Sequence, residues 1–224
     1  MRKWGIVISV FYATIVLGLL IPFGSRLLLG NPLFSSDFFK GAKEFYSSWL
    51  VWIPICAALS GQAILLFLSV DTSFKRLKPR AHIAITCLAA AMLFALLAFA
   101  VVCCVGAAVS GDKFGDRYLD TEMKAICLWV ALWVVWGIVF YLYLRNSTEA
   151  VTRAVSWLLK GSALELLIAV PCHVWVRRRE ECCAPVFTSF GILTGIAVML
   201  LSFGPSVLLL YKKRLDGYAA RASE

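Results

Sequence analysis

Long apolar segments that follow one another along the chain constrain its fold most, because each can cross a bilayer as a helix. A spanning helix needs about 20 mostly apolar residues. The sequence predicts six such spans, at residues 5–29, 48–70, 82–109, 125–144, 157–176 and 186–211. The opening MRKWGIVISV resembles a signal peptide, but no A-x-A cleavage site follows it, so it is interpreted as an uncleaved first span. We therefore expect an all-α, polytopic membrane bundle that forms a single domain over residues 1–224.

Composition excludes the soluble and nucleic-acid-binding classes. Hydrophobic residues make up 61% of the chain and charged residues 16%, against about 45–50% and 25% in soluble domains. The net charge of +9 does not indicate nucleic acid, because the basic residues form short clusters beside apolar runs. The expected partners are the lipid bilayer and, beyond it, other membrane subunits or a second copy of the chain.

The distribution of basic residues predicts the orientation. Six spans place both termini on one side, and most of the 22 Lys and Arg residues fall on that side. The positive-inside rule therefore predicts that both termini are cytoplasmic. One exception is the outward-facing triplet of Arg177, Arg178 and Arg179, whose guanidinium groups are expected to anchor the interface or to contact an anion such as a headgroup phosphate.

Sulfur and imidazole gather near the outer end of the fifth span in this orientation. Cys172, His173, Cys182 and Cys183 lie close together in the sequence. They predict a disulfide or a metal site for Zn, Cu or Fe, although their spacing matches no standard ligand motif; free thiols are the other alternative. Bis-histidine haem is disfavoured, because His82 and His173 fall at opposite ends of their spans.

Glu165 is an acidic residue inside the fifth predicted span, and an intramembrane carboxylate indicates a functional site by default. Its helical spacing places it on the same face as Cys172 and His173. Two roles are open: a proton or cation relay towards His173, or a structural ion pair with Lys160 or an arginine. The ion pair is favoured, because no second buried carboxylate accompanies Glu165.

Two further patterns indicate helix packing. Gly191 and Gly195 form a GxxxG motif in the sixth span, and small residues of this kind let helices approach closely. In the fourth span one side carries an aromatic face, formed by Trp129, Trp133, Trp136 and Phe140. This face is expected to pack or to meet lipid, and a flat ligand such as a quinone is the alternative.

The segments LELLIAVPCHV, RRREECCAP and GILTGIAVMLLSFGP resemble parts of uncharacterised bacterial six-helix inner-membrane proteins. The resemblance covers roughly the last third of the chain. It implies a multi-pass protein of the bacterial inner membrane, and it implies no activity.

Catalytic signatures such as G-x-S-x-G, H-E-x-x-H, the P-loop and C-x-x-C are absent from the sequence, which leaves open whether the protein is an enzyme. The expected function is a structural or accessory subunit of a membrane complex, with the Cys/His cluster at its outer face. One alternative is a membrane thiol–disulfide or quinone-linked oxidoreductase. Another is a small ion or solute transporter that uses Glu165.

Overall fold

The chain is helical throughout the part that the structure describes. The computed structural model describes residues 49–70, 79–118, 122–147, 150–179 and 183–222, with a few isolated positions before residue 49. Its helices there are α1 (Trp49–Val70), α2 (Pro79–Ser110), α3 (Lys113–Tyr118), α4 (Glu122–Leu144), α5 (Ala150–Arg178) and α6 (Ala184–Ala222). The all-α prediction is confirmed for these residues.

Four of the described helices are long and apolar enough to cross a membrane. Their spans are Ile83–Ser110, Met123–Leu144, Ala150–Arg178 and Ala184–Phe203, which correspond to the third to sixth predicted spans. Length and composition thus make the chain a multi-pass membrane protein. In α1 the apolar part is shorter, at Trp52–Leu65. The first predicted span, 5–29, lies outside the described residues, so six spans and cytoplasmic termini remain predictions.

Two helices are longer than their predicted spans. Helix α5 begins at Ala150 rather than at residue 157, because its first turns bury an apolar stripe that includes Ala150, Ala154 and Leu158. Helix α6 continues to Ala222 through the basic KKR segment, where Leu, Lys, Arg and Ala are all good helix formers.

Helix α2 is the centre of the bundle and contacts α1, α4, α5 and α6. In its apolar window 56% of the residues are buried, against 6% in α4. Small side chains explain this position, because Ala90, Ala95 and Ala100 are fully buried and let neighbouring helices approach closely. Helix α4 packs on α2 from one side and exposes residues such as Val134 and Ile138.

Hydrogen bonds join the end of α2 to the start of α6. Gly111 has a φ of 62°, and its N–H donates to the carbonyl of Ala107 at 2.9 Å, which ends α2 in a left-handed turn. Asp112 then accepts hydrogen bonds from the backbone N–H groups of Cys183 and Ala184, each at 2.8 Å. The Asp112 carboxylate therefore caps the N-terminus of α6, and this joins α2 and α6 at one end of the bundle.

Candidate functional site

Glu165 is buried where α5 meets α2 and α6. It lies on the inner face of α5 with Ser162, Ala169 and Val176, and only 1% of its surface is exposed. Neither carboxylate oxygen has a hydrogen-bond partner among the residues that the structure describes. Lys160 is exposed, and the described residues do not form the expected ion pair between it and Glu165. Glu165 is thus a buried acid for which the described part of the chain supplies no counter-charge.

Two glycines of α6 make room for this carboxylate. A Cβ atom at Gly195 would overlap Glu165 Oε2, and it would come within 2.8 Å of Leu166 Cγ. A Cβ atom at Gly191 would overlap Cys104 Sγ and would lie 3.3 Å from Glu165 Oε1. The GxxxG motif therefore does more than bring two helices together, because its open side holds a polar group. We call Glu165, Gly191, Gly195 and Cys104 the acid seat.

Cys104 connects the acid seat to the end of the bundle that Asp112 ties together. Its thiol is fully buried and donates to the carbonyl of Thr188 on α6 at 3.8 Å. Nothing in the sequence pattern singled out Cys104 beside Glu165, since the two residues lie on different helices. The sequence identifies Gly191 as a packing residue, but it does not indicate that Gly191 lies beside both Cys104 and Glu165.

His173 is held by Thr188, eight residues beyond Glu165 along α5. The Thr188 hydroxyl donates to the carbonyl of Pro185 at 3.1 Å, and His173 Nδ1 lies 2.9 Å from the same hydroxyl oxygen. Which of the two groups donates is set by the tautomer of the imidazole ring, because the Thr188 hydroxyl can donate to either acceptor.

The predicted Cys/His cluster is not assembled by the residues that the structure describes. Cys172 is a free thiol, and the described ranges contain no group of three metal-ligating side chains. Cys182 lies outside the described residues, as does the side chain of His82. A disulfide through Cys182, a metal site completed by it and the separation of the two histidines all remain predictions.

The predicted arginine triplet is exposed, and one of its members supports the bundle end. Arg179 donates to the carbonyl of Ala108 at 3.0 Å, and its guanidinium lies 5.0 Å from the ring centroid of Trp175. Arg177 and Arg178 are exposed on the last turn of α5, where their positive charge also complements the helix dipole.

The aromatic face of α4 packs against α2. Trp133 Nε1 donates to the carbonyl of Leu88 at 3.3 Å, and Phe140 is only 3% exposed. Trp129 stacks on Trp133 with ring centroids 6.1 Å apart, and Trp136 lies 4.2 Å from the ring of Phe94. These side chains hold α4 on the bundle, while its opposite face is apolar and exposed.

Two grooves lie beside α2. The first, of about 240 Å³, lies between α2, α4 and α5, and its walls include Phe94, Leu97, Val101, Trp136, Glu165 and Ile168. The second, of about 140 Å³, is bounded by α1, α2, α4 and α6, and its walls include Ile53, Pro54, Phe99, Trp129 and Phe190. We call them the acid groove and the apolar groove, since Glu165 is the one ionisable residue among the described residues that line them.

Comparison with known proteins gives no match to any family model, to any curated protein or to any solved structure. The acid seat and the acid groove are therefore the features from which a function can be argued. Both centre on the same residue, Glu165.

Proposed function

We propose that this chain is a multi-pass membrane protein of the transporter class, in which Glu165 binds and releases a proton or a cation. One observation carries the proposal: an acid that is 1% exposed, with both oxygens unpaired in the described part of the chain, occupies a seat made for it by glycines of the facing helix. A carboxylate of this kind has no evident structural task, because no described residue is held by it.

The surroundings of Glu165 favour a neutral carboxyl group, or a carboxylate that has a cation beside it. Burial of an unpaired charge away from water costs several kcal/mol or more, so a group in this position gives up its charge or acquires a partner. A site that alternates between these two conditions exchanges a proton for a cation. Exchange of this kind is the basic step of proton-coupled transport.

The two other expected functions depend on groups that the described residues do not bring together. An accessory subunit or an oxidoreductase was expected from the Cys/His cluster, and the described residues contain no group of three metal-ligating side chains. A structural ion pair of Glu165 with Lys160 or an arginine was favoured because no second buried carboxylate accompanies it, and the described residues form no such pair. The geometry therefore supports transport through Glu165 better than it supports the two other functions.

The test measures proton binding at Glu165 itself. The full chain is reconstituted in lipid, and infrared difference spectra are recorded across a pH jump. We expect a carboxyl band that is lost in Glu165→Gln and retained in Ser162→Ala. Ser162 is the matched control because it lies one turn away on the same buried face, and its hydroxyl bonds to Leu159 within the helix at 3.0 Å.

Proton movement is measured in parallel with liposomes that contain a pH-sensitive dye. Wild type and Ser162→Ala are expected to carry protons across the membrane, and Glu165→Gln is expected to lose this flux. A wild-type spectrum without any exchangeable carboxyl band, or a band and a flux unchanged in Glu165→Gln, would overturn the proposal.

A further inference from the structure

We propose that the acid groove binds a lipophilic organic cation, with an apolar, ring-sized body and a single positive charge, and that Glu165 is its counter-charge. This inference rests on the proposed exchange at Glu165 and names the class of substrate exchanged. It is carried by the juxtaposition of one buried acid with an aromatic groove that opens on the side of the bundle.

Charge complementarity selects a cation. Of the lining residues that the structure describes, Glu165 is the single ionisable one, and the others are aliphatic or aromatic apart from one glycine. An anion would be repelled by the carboxylate, and a neutral molecule would gain nothing from it. A small inorganic cation would lose its water to walls that offer no replacement ligands, whereas an organic cation brings an apolar body that these walls can bury.

The aromatic walls suit such a body. Phe94 and Trp136 line the groove with ring centroids 4.2 Å apart, and aromatic rings attract a cation most strongly where water is excluded. Gly161 permits this arrangement, since a Cβ atom there would come within 2.6 Å of Phe94 Cε2. The ring of Phe94 therefore reaches over α5, close to the turn that carries Glu165.

Size and position define the molecule further. The groove has a volume of about 240 Å³, whereas pockets for drug-sized ligands have volumes of about 300–1,000 Å³. The groove therefore accommodates one ring and an ammonium group rather than several rings. Leu164, on the groove's wall, is 60% exposed on the outside of the bundle. Because this surface belongs to a membrane-spanning helix, the substrate reaches the groove from the lipid.

Binding is balanced by the release of one proton. The O–H bond of the Glu165 carboxyl group breaks, the proton leaves to water, and the carboxylate that forms pairs with the cation. The carboxylate oxygens lie against the glycines of α6, so this pairing requires the Glu165 side chain to rotate towards the groove, which the residue also lines. No electron transfer or further reactant is needed.

The test uses benzyltrimethylammonium and its neutral carbon isostere, neopentylbenzene, with the full chain in detergent or nanodiscs. Equilibrium dialysis measures binding, and an indicator dye in weak buffer measures proton release. We expect the cation to bind with one proton released per cation, and Glu165→Gln to bind it at least about tenfold more weakly. The neutral isostere should bind both chains equally and release no proton.

A matched pair of variants on α2 locates the site. Phe94→Leu removes a ring from the acid groove and should weaken cation binding about threefold to tenfold. Phe99→Leu makes the same change at the apolar groove and should leave cation binding unchanged. Ala98→Leu fills the acid groove from α2 without altering the carboxylate, so it keeps the test decisive if Glu165→Gln does not fold.

The outcomes separate the two proposals. If no cation binds while the Glu165 carboxyl band and proton flux persist, the substrate class is wrong and exchange at Glu165 stands. Equal binding in Glu165→Gln and wild type, or equal loss in Phe99→Leu and Phe94→Leu, also overturns the acid groove as the site. A wild-type spectrum without the carboxyl band overturns the underlying function.

Discussion

Glycines at different helix interfaces of this bundle differ in what lies in the space left by the missing side chain. At the interface of α2 with α4, a Cβ atom at Gly137 would lie 4.0 Å from Ala91 Cβ, which is ordinary contact. On α6, a Cβ atom at Gly195 would overlap Glu165 Oε2 of α5, and one at Gly191 would overlap Cys104 Sγ of α2. The first glycine leaves space unused, whereas the other two leave space that a polar side chain fills.

This difference separates the part of the bundle that needs only apolar packing from the part arranged around Glu165. The α2–α4 interface closes with rings and alanines, among them Phe140, Ala90 and Ala91. Its existence shows that this chain can pair membrane helices tightly without a buried charge. The carboxylate in the acid seat is therefore not needed for tight helix packing. Buried charges that packing does not require concentrate at functional sites.

The largest expected effect is that of Gly195→Ala, which places a methyl group against Glu165 Oε2 and Leu166. Overpacking of this kind costs about 1–3 kcal/mol of stability, and thermal unfolding in mild detergent measures it. The same substitution combined with Glu165→Ala should recover part of the loss, because the conflicting oxygen is gone. Recovery is partial, since Leu166 Cγ stays within 2.8 Å of the added atom.

The double-mutant cycle decides whether the glycine serves the acid. Strict additivity of Gly195→Ala and Glu165→Ala would mean that the two sites are independent, and the acid seat would then be an accident of helix packing. A coupling of about 0.5–3 kcal/mol is the range found for residues in contact.

Gly137→Ala tests the α2–α4 interface. It should increase the stability of the protein, whereas Gly195→Ala should decrease it. The new methyl group fits beside Ala91, and alanine is favoured over glycine within a helix by about 0.5–1 kcal/mol. We expect a small rise in the unfolding temperature. A destabilisation as large as that of Gly195→Ala would show that the α2–α4 interface is as crowded as the acid seat.

The sequence predicts the elements of the described part well, and it predicts the acid seat incompletely. Apolar length fixes a membrane helix, so the third to sixth spans could be located from composition alone. Glu165 and the Gly191–Gly195 motif also stand out, since an acid is costly in a span and small residues recur at one helical face. Their encounter depends on the rotation of α5 against α6, which no local pattern encodes.

The partner assigned to Glu165 shows the same limit. Lys160 is close in sequence, yet the bundle turns Glu165 inward and leaves Lys160 exposed. Five residues of an α-helix correspond to about 1.4 turns, so the two side chains point in different directions. The sulfur of Cys104 lies beside the same glycine as Glu165 instead, although 60 positions separate the two residues in the chain.

The smallest expected effect is that of Trp133→Phe, which removes the indole donor to the carbonyl of Leu88 and keeps a ring in the α2–α4 interface. Interhelical hydrogen bonds in membrane proteins contribute about 0.6 kcal/mol on average, and this one is long, at 3.3 Å. The unfolding temperature should therefore fall only slightly, while cation binding at the acid groove stays unchanged. Trp157→Phe is the control, since that ring is 43% exposed and makes an edge contact with Tyr143. A large loss in Trp133→Phe alone would mean that this interface, too, depends on a polar contact, and the contrast with the acid seat would disappear.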